Sequence, residues 1–149
     1  MTRFVRLLVV ALAALFVACG VSSADSAVDT ATSWGLLGTW RLDCKAQASR
    51  ADPDLIFVVR SGQLFHDRNW GDGSDSSAVL SATATAGGGL MVTVKFASLS
   101  QTRQWAYVKQ DDNHIRAMSN RNVDTDDYSV RDGKFTANGN STSWQTRCN

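Results

Sequence analysis

Glutamate is absent from this chain: all 14 acidic residues are aspartate. Lysine is scarce, at four residues, and proline occurs once, as Pro53. Glu and Lys ordinarily cover exposed helix faces, whereas Asp competes for the helical backbone through its short side chain. Their shortage argues against a helical domain. Histidine is limited to His66 and His114, and cysteine to Cys19, Cys44 and Cys148. That set does not suit a structural metal site, so no metal and no cofactor is expected. Without Glu, a paired-carboxylate enzyme would need two Asp. Asp124, Asp126 and Asp127 cluster, but in a loop-like stretch. No nucleophile-elbow motif marks a special serine, and both histidines read as surface residues beside strand ends. An enzyme therefore ranks behind a binding module.

What the chain does have begins at its N-terminus. Arg3 and Arg6 precede the apolar run Leu7–Val17, and small residues follow to Ala24. This is the order of a secretory signal, and a run of eleven is too short to span a bilayer, which takes about 20 residues. Residues 1–24 are read as a signal peptide and the mature protein as periplasmic or secreted. Two processing routes are open. One is cleavage after Ala24. The other uses Phe16-Val17-Ala18-Cys19, which resembles a bacterial lipobox and would make Cys19 a lipidated anchor. Either route removes Cys19 from the thiol count and leaves Cys44 and Cys148. One pair in an exported domain reads as a disulfide.

Without Arg3 and Arg6, the mature part carries 13 bases against 14 acids. A near-neutral domain offers no general attraction to nucleic acid or to anionic membrane. Its roughly 125 residues suit one core. Residues 25–33 are polar and small and read as a flexible lead-in, and 34–149 as a single β domain. Leu90, Val92, Val94 and Phe96 alternate with Met91, Thr93 and Lys95, the period of a half-buried strand. Trp105 and Tyr107 share one strand face. Asp132-Gly133 suits a two-residue type I′ turn setting Val130 opposite Phe135. Ser61-Gly62 is a weaker version setting Val59 opposite Leu64. Gly71-Asp72-Gly73-Ser74-Asp75 matches part of a calcium-binding nonapeptide, but in a single copy, and reads as a surface loop. Asn140-Ser141-Thr142 is a glycosylation sequon by pattern. The series amounts to an all-β, up-and-down antiparallel barrel of about 8–10 strands with one disulfide.

Leu37-Gly38-Thr39-Trp40, at the start of the first strand, resembles the G-x-W motif of lipocalins and wider calycin-type barrels. The resemblance implies that Trp40 plugs a closed barrel end and that a late arginine, Arg147, packs across the Trp, which makes Gly38, Trp40 and Arg147 structural residues. Strand parity raises a conflict, because Cys44 shares the face of Trp40 while Arg147 faces away from Cys148. The disulfide and the Arg–Trp pair coexist only where the chain leaves the strand or bulges.

A barrel this size just holds its own side chains or one small ligand. Phe65, Trp70, Trp105 and Tyr107 are the aromatic candidates for a ligand-binding pocket. The partner expected is a small apolar molecule. The alternative is a protein partner, with the chain acting as an inhibitor of a hydrolase (a protease or lysozyme). A membrane is expected only through lipid at Cys19.

Overall fold

The computed structural model describes residues 26–148. The stretch expected to be a signal peptide, residues 1–24 with Cys19, lies outside the described residues. The described residues begin with a helix, α1 (Ala27–Trp34), followed by ten strands. These are β1 (Gly38–Arg41), β2 (Asp54–Arg60), β3 (Gln63–Asn69), β4 (Ser74–Ala84) and β5 (Leu90–Phe96). The rest are β6 (Gln101–Asp111), β7 (His114–Asn122), β8 (Tyr128–Arg131), β9 (Lys134–Phe135) and β10 (Gln145–Cys148). Neighbours in sequence pair antiparallel from β1 to β9, and β10 pairs with both β1 and β7. Eight strands, β1 to β7 and β10, thus close an all-β antiparallel barrel. The β8–β9 hairpin grows from the far end of β7.

The turns follow the chain's chemistry. Val130 faces Phe135 around Asp132-Gly133, and Val59 faces Leu64 around Ser61-Gly62. All four turn residues have positive φ, as two-residue hairpin loops of this kind require. Of the Gly71–Asp75 stretch, Gly71–Gly73 form the bend between β3 and β4, and Ser74 and Asp75 begin β4. Its Gly73 lies so close to Trp70 that a Cβ there would come within 2.7 Å of the indole nitrogen.

One expectation needs correction. Residues 25–33 are not a loose lead-in through their length, because 27–34 are helical. Ser26 Oγ accepts the Asp29 amide at 3.1 Å, an N-cap, and Gly35 closes the helix at φ 87°. Eight residues do not sustain a helix alone. Burial decides it: Ala31 is fully buried, and Trp34 nearly so, with its indole donating to the Gly88 carbonyl at 2.9 Å.

The helix and the segment after it seal one barrel end. Trp40 is fully buried there and donates from its indole to the Leu36 carbonyl at 2.7 Å. Arg147 is the direct strand partner of Trp40 and places its guanidinium 4.4 Å from the ring centroid. The same guanidinium donates to the carbonyls of Gly35, Leu37 and Asp112. Gly38 has φ 127°, and a Cβ there would press to 3.1 Å from Arg147.

The disulfide joins Cys44 to Cys148, with Cα atoms 5.4 Å apart. The parity conflict resolves because β1 ends at Arg41. Cys44 lies beyond it in a turn and reaches the outer side of β10. The chain-entropy model assigns a loop of this size about 4–5 kcal/mol.

Candidate functional site

The barrel interior is filled. Leu90, Val92, Val94 and Phe96 from β5 are all fully buried, as are Leu64 and Ile115. Histidine 66, read from sequence as a surface residue, is instead 1% exposed in the barrel centre. Alternation along β3 turns Leu64 and His66 inward while Phe65 faces out. The imidazole stacks on Phe57 with centroids 4.5 Å apart, and meets the rings of Phe96 and Trp105 edge-on. Neither ring nitrogen has a hydrogen-bond partner. Burial, and then the nearby Arg68 charge, lower its pKa to about 4.

His114 differs. It is part-exposed at the start of β7, with Nδ1 2.8 Å from Asp111 Oδ1. This hydrogen bond holds the Asp111 carboxyl below the usual range. Among the described residues, no serine hydroxyl bonds to either histidine. Nor do three or more His, Cys, Asp or Glu side chains gather where they could hold a metal ion.

Open space lies at the end opposite Trp40. The edge of β7 is shared along its length: β10 pairs with His114 and Ile115 near the closed end, while β8 pairs with Asn120 and Arg121 toward the open end. Thr142 bridges the fork, its hydroxyl donating to the Ala117 carbonyl at 2.7 Å. The divergence of β8 from β10 leaves a cleft of about 380 Å³. Leu55, Trp105, Tyr107 and Ala117 line it from the barrel, and Val130 and Phe135 from the hairpin. Burial raises the Tyr107 phenol well above its ordinary pKa, so it stays neutral.

A further wall comes from loop 42–53, through Leu42, Asp52 and Pro53. Asp52 organises this loop. Its carboxylate accepts the amides of Leu42 at 2.8 Å and Asp43 at 3.0 Å. Arg41, 6% exposed, pairs with both Asp52 and Asp54. The disulfide ties the same loop to β10.

Of the four aromatic candidates, Trp105 and Tyr107 line this cleft together. Trp70 stands at a neighbouring part of the rim, between the guanidinium groups of Arg50 and Arg68, beside a hollow of about 300 Å³. Phe65 lies on the outer face of β3, under Arg60. Sequence reading missed Val130, Phe135 and loop 42–53 as cleft residues. Arg103 shares the strand face of Trp105 and Tyr107, which alternation alone signals, and it bonds to the cleft residue Asn120 without itself lining the cleft.

Among the described residues, no helix is long and apolar enough to cross a membrane. Comparison with known family profiles, with curated proteins and with solved structures finds no match to this chain.

Proposed function

We propose that this chain is an exported barrel that holds one small, mainly apolar molecule in the cleft at its open end. The observation that carries this reading is the cleft itself, about 380 Å³ in volume and floored by Leu55, Trp105 and Tyr107. Ligand pockets are typically apolar hollows of this order with a few placed polar groups. The packed interior behind Trp105 confines the ligand to the mouth. Export is supported by the order of residues 1–24 and by the disulfide. Kinship with lipocalin-like barrels is supported by Gly38, Trp40 and the guanidinium of Arg147 over the indole.

Native mass spectrometry of protein purified from its own host tests the reading, together with titration by the neutral dye N-phenylnaphthylamine. A retained small molecule, or dye fluorescence that rises on binding and falls on Trp105→Ala, is expected. No retained mass and no dye binding would refute it. The second reading, an inhibitor directed at a hydrolase, is favoured by a different observation. Leu42, Leu99, Val123, Phe135 and Trp144 are all exposed, and all sit on open-end segments. A hydrolase co-purifying with the protein, whose binding is lost on Phe135→Asp, would support it.

A further inference from the structure

We propose that the molecule held at the open end carries a carboxylate on its apolar body, and that Arg103 receives this carboxylate. The inference rests on the ligand-binding reading above and narrows its ligand class. Along β6, Arg103 shares a face with Trp105 and Tyr107, one pleat nearer the rim. Its guanidinium bridges the fork strand and the hairpin. Nε donates to Asn120 Oδ1 at 2.7 Å, Nη1 to Gln101 Oε1 at 3.2 Å and Nη2 to Ser129 Oγ at 3.0 Å. Asn120 itself lines the cleft.

All three partners are neutral, and that sets Arg103 apart. Arg41, Arg50, Arg60, Arg68 and Arg121 each pair with an aspartate. Arg147 is committed to the closed end. Arg116 also lacks a carboxylate, but its strand partner is Val108, on the outer face of the barrel, and it lies against Trp144. Arg131 has no aspartate either, but it is exposed over Tyr128 and alternates with Val130, the residue of β8 that faces the cleft. Among the described residues, Arg103 is therefore the arginine of the inward face at the open end that has no counter-ion. Its planar fork matches the two oxygens of a carboxylate, and charge-assisted bonds are stronger than neutral ones. The contacts to Gln101 and to Ser129, an exposed residue, can be exchanged for carboxylate oxygens. The bond to Asn120 then keeps the guanidinium in place. Trp105, Tyr107 and Val130 carry the apolar body.

The test is displacement of N-phenylnaphthylamine from the full mature chain by decanoate and by decanol, which share an alkyl chain and differ in the head group. Decanoate is expected to compete roughly tenfold or more better than decanol, the range for a hydrogen bond to a charged group. In Arg103→Met the two should compete within about twofold of each other, while dye binding persists. Arg103→Lys, which keeps the charge and loses the fork, should retain a reduced preference; it serves as the readout where the Met variant fails to melt cooperatively. Equal competition in the native protein, or an undiminished acid preference in both variants, overturns the inference and leaves the ligand reading standing. Absence of both dye binding and calorimetric decanoate binding overturns the two together.

Discussion

His66 carries the most quantitative prediction. Its imidazole is fully buried against Phe57, Phe96 and Trp105, with both nitrogens unpartnered and a folded-state pKa of about 4. An unfolded histidine titrates near 6.5. As pH falls below that value the unfolded chain takes up a proton that the folded chain refuses until about pH 4. Stability is therefore undiminished above pH 6.5 and is lost progressively between these limits. The whole loss comes to roughly 3 kcal/mol, and the part spent by pH 5 to roughly 2 kcal/mol. Carboxylates do not mask this window. The hydrogen bond to Arg68 holds the Asp75 carboxyl low. Burial pushes Asp67 up, but hydrogen bonds from Arg60 and Ser76 bring it below its ordinary value. Stability from depressed carboxyls is lost only as pH falls through the acid range below about 4.

The perturbation is His66→Leu, followed by urea unfolding on tryptophan fluorescence at pH 7.5 and pH 5.0. At pH 7.5 the variant should lie within about 1 kcal/mol of the native protein. Lost stacking is offset by removal of two unsatisfied buried nitrogens, whose cost is about 1–3 kcal/mol. At pH 5.0 the native protein should have lost about 2 kcal/mol more than the variant. Parallel losses in the two proteins would refute the reasoning, because they would mean that the folded imidazole accepts a proton as readily as the unfolded one.

Two further outcomes follow from the closed end and the seam. Arg147→Met keeps the aliphatic stem but removes the bonds to Gly35, Leu37 and Asp112 and the cation over Trp40. A loss of about 2–3 kcal/mol is expected, read as a lower Tm. Replacing Cys44 and Cys148 together by serine should cost about 4–5 kcal/mol in urea unfolding, and reductant should then have no further effect, unlike in the native protein.

The barrel was legible in the sequence because its signals are local. Alternation in Leu90–Phe96 and the turns at Ser61-Gly62 and Asp132-Gly133 each fix a strand face or a register without reference to distant residues. Cysteine parity supplied the seam. α1 escaped because its capping and its 27, 28, 31, 34 apolar spacing are short signals that matter only once Trp34 finds a partner in Gly88. His66 was misplaced for a related reason. A polar residue between Phe65 and Asp67 looks like a strand-end surface residue until the register with Phe57 shows which face is inward.

The open-end cleft was the least legible part, because no single strand encodes it. It exists because β7 is longer than the partner on its free edge. β10 takes two of its residues, β8 takes two more, and the gap between them is spanned by Thr142 rather than by a ladder. Each side of the fork is ordinary on its own. Only their divergence leaves a cleft against Trp105 and the buried Tyr107 on a barrel whose interior is otherwise packed. The same fork brings Ser129 and Asn120 within reach of Arg103, so the apolar floor and the unmatched cation arise from one topological event. The interior of this small barrel is filled, so its open space lies at the mouth, and the mouth is made by the strand that cannot be covered by one neighbour.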